Sequence, residues 1–419
     1  MSIEGLARSP AAAAGPPTTA DLRRANLGRM LRVVHQNGPI TRAAITENLG
    51  LARNTVGVLL ESLVGAGLLV ERSPVVGGTR GRPSPIIDNV PARATVLAVD
   101  LAVDAVRLAV VGLGGHILSR HEWPHEPDGV TEIEVAVLVD RLRDAARRRR
   151  RAGAAFQAVC VACWGIVRRY DGFVYSAPNL GWRDVALGAA LKAGLSHLPG
   201  GGRPLLQASS VANDADLGAV AEFRRGAGVG ARRLLYVHSN IGVGGGIVDE
   251  GRLFAADGGY AGEIGHMVVD PKGIRCRCGA VGCWETEVDE RALLRAAGFP
   301  AHLQGKPAAD AVARVLADAA ARDRAASAAV RRVATSLGGG LASLVHVLGP
   351  DRIVLGGYLA DLVELAPSVI RQPLRDRGFS PEARDVELRA SVCRSDAAIF
   401  GAAEQGFEAL FANPLEVLA

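Results

Sequence analysis

The spacing of apolar residues changes near Pro91, and this change is the strongest constraint on what the chain can fold into. Before Pro91, apolar residues recur at intervals of three and four, which is the period of amphipathic helices. After Pro91, short apolar runs separated by glycine-rich turns alternate with helical segments, a pattern typical of an α/β fold with a mixed sheet. The 419 residues also exceed one ordinary domain. The sequence therefore predicts a disordered tail over residues 1–20, a helical head over 21–91 and an α/β body over 92–419.

The head is predicted to contain three short helices followed by two strands. Asp21 is the expected N-cap of the first helix, and Thr41 is the expected N-cap of a second helix over 42–49. A third helix is predicted over 52–66 because its apolar residues form one stripe. The predicted strands are 68–70 and 85–89, joined by a glycine-rich turn. This order of elements is that of a winged helix-turn-helix domain.

Several polar residues of the head are placed to contact DNA. The first residues of the third helix would meet base edges, the arginines of the glycine-rich wing would enter a minor groove, and the start of the second helix would meet phosphate. The predicted DNA contacts are Arg53, Asn54 and Thr55, then Arg80 and Arg82, then Thr41 and Arg42. Residues 1–90 also hold ten arginines against six acidic residues, within a chain of net charge +5. The alternative is a small helical domain that binds another protein.

One imidazole and three thiols lie close together in the sequence, with the spacing of a metal site. His266, Cys276, Cys278 and Cys283 are a complete tetrahedral set for structural zinc, and glycine turns would let the sulfurs converge. The alternative is a chance cluster of inert thiols. The other cysteines, Cys160, Cys163 and Cys393, are predicted to be core residues.

Carboxylates, amides and the same imidazole surround this motif without an obvious structural need. Together they suit a ligand with many hydroxyl groups, because each side chain offers hydrogen-bond donors or acceptors. The predicted ligand contacts are Asn179, Asn213, Asp214, Glu263, His266 and Glu285. Individually, each of these residue types is equally common as a helix cap or turn residue.

These motifs resemble those of the ROK family of sugar kinases and repressors. The matching motifs are GEIGH followed by CRCGAVGCWE, with NDAD and IGVGGGI upstream. The winged head resembles that of the repressor branch of the family. The resemblance implies an actin-like ATPase (ribonuclease H-like) fold with two lobes, over about 92–205 and 206–395, and a C-terminal helix that packs back. It also implies that the six polar residues above contact a sugar in the cleft. His266 would then serve the metal through one ring nitrogen and the ligand through the other.

The phosphate loops that family kinases use are altered in this sequence. The first loop is Asp100-Leu101-Ala102-Val103-Asp104, where side chains and a carboxylate replace the family's glycines and hydroxyl residue. The second is Asn240-Ile241-Gly242, which lacks the family's threonine, although the glycine run 244–246 remains. Asp214 matches the family's general base and is interpreted as vestigial. No bound ATP is therefore expected, and structural Zn²⁺ is the expected cofactor.

The resulting hypothesis is a DNA-binding repressor of carbohydrate genes whose body binds a sugar without phosphorylating it. Operator DNA and a monosaccharide or phosphosugar effector are the expected partners, and two half-sites would require a homodimer or a dimer of dimers. The alternatives are an active ATP-dependent sugar kinase with an accessory head, and regulation by a protein partner. A cytoplasmic protein without membrane contact is expected, because the sequence shows no transmembrane run and no signal peptide. The arginine run 147–151 is interpreted as a solvated helix end.

Overall fold

A computed structural model describes residues 18–72, 85–125, 131–151, 155–196, 209–300, 303 and 305–416. The predicted tail up to residue 17 and the wing turn with Arg80 and Arg82 lie outside the described residues. The chain divides into two compact units. The first contains the described residues up to Asn89 together with those from Ala409 onward, and the second is Val90–Glu408.

The first unit has the elements of a winged helix-turn-helix domain. They are α1 (Thr19–Asn37), β1 (Ile40–Thr41), α2 (Arg42–Leu49), α3 (Arg53–Gly65), β2 (Leu69–Arg72) and β3 (Ile86–Asn89). The strands form one sheet in the order β1-β3-β2, and both of its pairs are antiparallel. The apolar stripe of each helix is buried, with Leu31, Ile45 and Leu63 fully enclosed. Burial of these stripes stabilises helices that are short for independent folding.

The first helix begins earlier than the sequence predicts. Thr18 is the N-cap, and its Oγ1 accepts a hydrogen bond of 3.2 Å from the Asp21 backbone amide. The Asp21 carboxylate accepts 3.1 Å from the Thr18 amide, which completes a capping box. The prediction that Asp21 is the N-cap was therefore wrong, because Asp21 occupies position N3, three residues after the N-cap. The N-cap predicted at Thr41 is confirmed, and its Oγ1 accepts 3.2 Å from the Ala44 amide.

The C-terminal segment groups with the first unit. The Phe411 ring lies edge-on to the His35 ring at 5.1 Å, and the Arg32 guanidinium lies 4.4 Å from the centre of the Phe411 ring. These contacts bury an apolar ring against α1. The described residues from Ala409 onward thus join the head and not the body to which the sequence assigns them.

The second unit contains a five-stranded sheet with β-strands in the order β11-β7-β4-β5-β6. The strands are β4 (Ala94–Leu101), β5 (Ala105–Gly112), β6 (His116–Pro124), β7 (Ala155–Cys163) and β11 (Ser210–Asn213). The first three form an antiparallel meander, and β7 and β11 add in parallel. Beside this sheet lie α4 (Thr131–Arg151), α5 (Leu187–Leu195) and a small sheet of β8 (Ile166–Arg168), β9 (Phe173–Ala177) and β10 (Trp182–Val185).

A second five-stranded sheet, in the order β14-β13-β12-β15-β16, repeats this arrangement. Its strands are β12 (Arg233–Asn240), β13 (Gly242–Asp249), β14 (Arg252–Leu253), β15 (Arg352–Gly357) and β16 (Glu387–Ala390). Again the first three strands are antiparallel and the last two add in parallel. The segments at 95–118 and 234–254 are therefore corresponding parts of two copies of one sheet topology. The two-lobed α/β prediction for the body is confirmed.

Helices complete both halves of the body. They are α6 (Asp214–Arg225), α7 (Glu285–Val288), α8 (Glu290–Ala296), α9 (Gly305–Ala320), α10 (Arg324–Leu348), α11 (Leu359–Leu365), α12 (Pro367–Arg377), α13 (Pro381–Arg384) and α14 (Ala397–Gly406). The short helix α15 (Glu408–Ala412) belongs to the first unit from Ala409 onward. Helices α6 and α14 pack against each other, α6 on the second sheet and α14 on the first. The buried Glu404 of α14 ties them together, because its carboxylate accepts hydrogen bonds from Arg224 and Arg225 of α6. Among the described residues, no helix is long and apolar enough to cross a membrane.

Candidate functional site

A cavity of about 540 Å³ lies in the second unit, and all six predicted ligand contacts line it. The first half of the unit contributes Asn179, from the turn between β9 and β10, and Asn213, at the end of β11. The second half contributes Glu263, His266 and Glu285, from the long connection after β14 and the start of α7. Residues separated by up to about a hundred positions in the sequence thus meet around one space of a size typical of small-molecule sites.

Asn213 and Asp214 are placed by the start of α6. Asn213 is the N-cap, and its Oδ1 accepts from the amides of Ala215 at 2.9 Å and Asp216 at 3.0 Å. Its Nδ2 donates 3.0 Å to the Gly165 carbonyl. Asn213 therefore serves as a structural cap as well as a cavity residue. Burial, and secondarily the nearby Asp100 carboxylate, raises the pKa of the Asp214 carboxyl to about 8.

The glycine run on β13 is explained by packing against α6. A side-chain carbon at Gly244 would lie 2.8 Å from the Ala215 Cβ, and one at Gly246 would lie 2.6 Å from the Ala215 carbonyl oxygen. Glycine at these two positions lets α6 lie directly on the sheet, with Asp214 at the cavity. The run therefore has a structural cause that needs no nucleotide.

Asn179 is held in the cavity by the second half of the unit. Its Nδ2 donates 3.3 Å to the Ile241 carbonyl, and its Oδ1 accepts 2.5 Å from Arg277 Nη1. Desolvation lowers the pKa of the Arg277 guanidinium, although the neighbouring carboxylates of Asp289 and Glu285 oppose this effect. A guanidinium directed into the cavity adds donors that suit hydroxyl or anionic ligand groups.

The four predicted metal ligands are brought together. The sulfurs of Cys278 and Cys283 are 3.6 Å apart, Cys276 Sγ is 3.8 Å from His266 Nδ1, and all four ligand atoms lie within 4.8 Å of one another. Tetrahedral zinc with bonds of about 2.3 Å would separate two sulfurs by about 3.8 Å. The donor set and its spacing therefore fit zinc.

The peptide around the cluster is a compact loop fixed to the core. Short antiparallel bridges pair Val268 with Cys283 and Arg275 with Val281. Gly282 takes the left-handed conformation, with φ of 76°. Trp284 is fully buried and donates 3.0 Å to the Ser336 carbonyl of α10. The loop thus brings the thiols together and attaches them to the second half of the body.

The cluster and the cavity share His266. Its Nδ1 faces Cys276, whereas its Nε2 lies 3.8 Å from Glu263 Oε2 at the cavity wall. Burial raises the pKa of the Glu263 carboxyl, and the His266 side chain partly opposes that rise. On the other side of the cluster, Cys276 Sγ lies 2.8 Å from Glu285 Oε1. Two cavity carboxylates are therefore adjacent to the predicted metal ligands.

A neighbouring cavity of about 380 Å³ lies on the far side of Asp214. Asp100, Arg107, His238 and Arg394 are among the side chains that line it. Burial raises the pKa of the Asp100 carboxyl to about 6 and lowers that of the His238 imidazole to about 4. Arg107 donates to Asp104 at 2.7 Å and to Asp100 at 3.4 Å, while Arg394 donates to Asp361 and Glu364. The arginines in this cavity are thus already paired with carboxylates.

The candidate DNA contacts of the first unit lie in different environments. Arg53, Asn54 and Thr55 are exposed on the first turn of α3, whose N-cap residue Ala52 makes no side-chain cap. The backbone N–H groups of such a turn remain available to an anion. Arg42 is only half-buried and donates 2.7 Å to Glu71, so its availability to phosphate depends on releasing that pair.

Sequence reasoning missed several side chains of the larger cavity. Among them are Trp164, Arg183, His238, Arg277 and Arg291. The arginines were obscured by composition, because 45 of the 48 basic residues are arginine and a single one carries little information. The sequence could have indicated Arg277, because it stands between two predicted metal ligands and therefore has to lie on their loop. The predicted core positions of Cys160, Cys163 and Cys393 are confirmed, since all three are buried.

The duplicated sheets, the cavity of the second unit and the winged head define a class of protein, in which a sugar-kinase-like body is joined to a DNA-binding type of domain. The chain belongs to the ROK family, whose profile matches residues 96–405. The resemblance that the sequence motifs indicated is thereby confirmed.

Similar proteins include both regulators and enzymes. The xylose repressor of Caldicellulosiruptor bescii is 24% identical, over 91% of this chain and 94% of that protein. The glucokinase of Halalkalibacterium halodurans is 29% identical, over 73% of this chain and 92% of the enzyme. A crystal structure of a ROK family transcriptional regulator, a homologue of the E. coli MLC protein, is 25% identical with a TM-score of 0.73 and covers 95% of this chain and 99% of its own. The regulators thus match over the head and the body.

Proposed function

We propose that this protein is a transcriptional repressor of carbohydrate uptake or catabolism genes, which binds operator DNA through its head and a sugar through its body. The observation that carries the proposal is the exposed, uncapped first turn of α3, with Arg53, Asn54 and Thr55, in the same chain as the larger cavity. The xylose repressors that match over nine-tenths of the chain support the same combination.

The head would read DNA through both charge and hydrogen bonds. Arg53 can pair with guanine and Asn54 with adenine, each through two hydrogen bonds, while the free N–H groups of α3 meet a phosphate. Arg80 and Arg82 would extend the contact along a minor groove, and Thr41 and Arg42 would meet the backbone. Binding as a homodimer or dimer of dimers would place two heads on two half-sites.

The body would hold a monosaccharide or phosphosugar between its two halves. The amides of Asn179 and Asn213 offer both donors and acceptors, whereas Asp214, Glu263 and Glu285 accept hydrogen bonds from hydroxyl groups. A sugar that touches both halves favours the arrangement in which the halves are correctly spaced. A different affinity of the two arrangements for DNA would then link sugar binding to release or retention of the operator.

Structural zinc would be held by His266, Cys276, Cys278 and Cys283. The ion would supply four bonds that fix the loop, and no part in a reaction is proposed for it. With Nδ1 of His266 committed to the metal, its Nε2 stays directed toward Glu263 and the cavity. The loop would thereby orient two ligand-binding side chains.

We further propose that the body does not transfer phosphate, and that Asp214 is a retained general base without a phosphate donor. Supporting this, the first hairpin turn carries Ala102, Val103 and Asp104, and Arg107 is already paired with Asp100 and Asp104. The second candidate function is an active sugar kinase, which the glucokinase relatives and the retained Asp214 favour. Sugar-dependent release of ADP from ATP by the purified protein would establish that alternative.

The decisive experiment is binding of the full-length protein to DNA from upstream of its own gene, measured by fluorescence anisotropy at several salt concentrations. We expect log affinity to fall linearly with log salt concentration, because phosphate contacts release counterions. Asn54→Ala should weaken specific binding by about 1–3 kcal/mol and leave binding to unrelated DNA unchanged. Glu61→Ala, on the same helix, is the matched control. Binding that is insensitive to both salt and Asn54→Ala would contradict the proposal.

A further inference from the structure

A third cavity of about 530 Å³ lies in the same unit and is distinct from the cavity of about 540 Å³ proposed to hold the sugar, called the sugar-type cavity below. Its lining comes from the end of β8, the outer side of α6, and the hairpin of β13 and β14 with the residues that follow it. Asn213 borders both cavities, because it stands at the start of α6 between them. None of the roles proposed above uses the rest of this lining.

Asp216 lies in this cavity with its carboxylate unpaired. Asp214 and Asp216 are two positions apart at the start of α6, and they line different cavities. Asp216 is half-buried, and within the described part of the chain its carboxylate forms no hydrogen bond or ion pair. Desolvation by burial raises the pKa of that carboxyl to about 7, and the charge of Arg169 partly opposes the rise. An unsatisfied carboxyl in a sheltered space is costly unless a ligand supplies a donor or a positive charge.

Positive charge also lines the same cavity. Arg169 and Arg252 are exposed lining residues, and within the described ranges neither forms an ion pair. Arg224 also lines the space, but it is committed to Glu404 at 3.2 Å and Glu408 at 2.7 Å. The cavity therefore offers one acidic and two basic groups that are free to meet a ligand.

The same cavity also has an apolar part. Val167, Phe223, Val248 and Leu253 line the cavity, and Val167 and Val248 are almost fully buried. A ligand that matches this lining has an apolar or carbon-rich part. It must also carry groups of opposite charge, since an anion alone would meet Asp216 and a cation alone would meet the arginines.

We propose that this cavity binds a small zwitterion, with the amine at Asp216 and the acid group at Arg169 and Arg252. Two kinds of ligand share this chemistry. One is an apolar α-amino acid, whose acid group is a carboxylate, and the other is an amino-sugar phosphate, whose acid group is a phosphate. The site is separate from the proposed sugar pocket, and it does not depend on the sugar's identity.

The test uses the full-length protein with L-leucine and glucosamine 6-phosphate as probes, in calorimetric titration and thermal unfolding. We expect at least one probe to bind at a ratio of one per chain and to raise the melting temperature at about 10 mM. Each probe has matched partners that lack one charge: 3-methylbutylamine and 4-methylpentanoate for leucine, and glucose 6-phosphate for glucosamine 6-phosphate. These single-charge compounds should bind at least about tenfold more weakly, which corresponds to about 1.4 kcal/mol.

Two variants and two controls locate the binding. Asp216→Asn keeps the size of the side chain, and Arg169→Gln changes an exposed residue that the fold does not need. Each variant should lower the affinity for the probe at least about tenfold. Asp318→Asn, an exposed carboxylate on α9, should bind as the wild type does. Glu263→Gln, in the sugar-type cavity, should also leave zwitterion binding unchanged. Binding of leucine alone or of glucosamine 6-phosphate alone identifies the source.

The proposal is overturned if neither probe binds the wild-type protein. It is equally overturned if Glu263→Gln abolishes binding while Arg169→Gln does not, because the probe then occupies the sugar-type cavity. A failure of this kind would leave the DNA-binding proposal intact, since operator binding is measured without either probe.

Discussion

The two halves of the body share one sheet topology but differ in where they bear polar groups. In the first half, the chain passes from β6 to α4 by a short connection, and its hairpin turn at Ala102–Asp104 is locked by its own side chains. In the second half, the connection from β14 to α7 has grown to about thirty residues and contains Glu263, His266 and the cysteines. This long connection, called the insertion below, is a difference between the two halves, and it holds cavity residues together with the predicted metal ligands.

Removal of a metal ligand from this insertion should have the largest effect. With Cys283→Ala, we expect loss of bound zinc and a sugar affinity reduced about 100-fold or more, because the loop that orients Glu263 and His266 is no longer fixed. Zinc content by mass spectrometry and sugar affinity by calorimetry measure the two effects. Cys160→Ala is the control, because Cys160 is buried in the first half outside the cluster. Full sugar affinity in a zinc-free protein would mean that the insertion positions the pocket without the metal.

A single carboxylate of the insertion should have the next largest effect. Glu263→Gln removes the charge that accepts sugar hydroxyl groups, and we expect affinity to fall about 10–100-fold, as for other hydrogen bonds to charged groups. Calorimetric titration with the sugar that binds the wild type checks this. Asp310→Asn is the matched control, because it removes the charge of an exposed carboxylate on α9, outside the cavity. Equal affinity of Glu263→Gln and wild type would mean that the charge of Glu263 makes no contribution to sugar binding.

The pH dependence of stability should distinguish Asp214 from Asp100, which come from the second and first halves of the cleft. Burial raises both carboxyl pKa values in the folded state, to about 8 for Asp214 and about 6 for Asp100. The folded protein then holds these protons more tightly than the unfolded chain does. Each group therefore stabilises the fold at low pH and loses that contribution as pH rises through the folded pKa.

Asp214→Asn should accordingly melt a few degrees above the wild type at pH 8, with the difference disappearing toward about pH 4. For Asp100→Asn, the increase in melting temperature over the wild type should reach its full size near pH 6, because the folded-state pKa of Asp100 is lower than that of Asp214. Calorimetric scans across this range measure both. A gap that stays constant from pH 4 to pH 8 would show that neither carboxyl is perturbed as described.

The sequence predicted the elements of the head and the members of the metal cluster better than it predicted their surroundings. Helix periodicity identified α2 at its observed bounds, because its N-cap at Thr41 and the left-handed Gly50 at its end are both local signals. The spacing of the four predicted metal ligands in the sequence was also enough to predict that they lie together, since the loop that joins them is short. In contrast, the pairing of Asn179 with Arg277 joins positions 98 residues apart, and no local pattern encodes it.

The cavity with Asp216 illustrates the same limit. In the sequence, Asp214 belongs to a family motif and is predicted to contact the ligand, whereas no pattern marks Asp216 as a binding residue. Residues two positions apart in a helix point to nearly opposite sides, and the packing of α6 against β13 and α14 decides which cavity each of the two carboxylates lines. Tertiary packing therefore decides which carboxylate is available for which ligand.

Restoration of the first hairpin turn should have the smallest effect and should test the difference between the halves most directly. Ala102 N donates 3.1 Å to the Ala105 carbonyl, the His125 amide donates 3.1 Å to the Asp104 carbonyl, and Arg107 binds the Asp104 carboxylate. A combined Ala102→Gly, Val103→Gly and Asp104→Thr variant removes two side chains and one negative charge from this turn.

We expect this variant to gain weak ATP binding, at about millimolar affinity, without gaining much sugar-dependent ADP release. The reason is that the second turn still lacks a hydroxyl at Ile241, and Arg107 would remain paired with Asp100. Calorimetry with ATP and a coupled ADP assay measure the two steps separately, and Asp104→Asn alone is the control for loss of charge. Rapid sugar phosphorylation by the triple variant would show that the first turn is the sole barrier to catalysis. In that case the second half, with Asp214 in place, would already be a competent catalytic half.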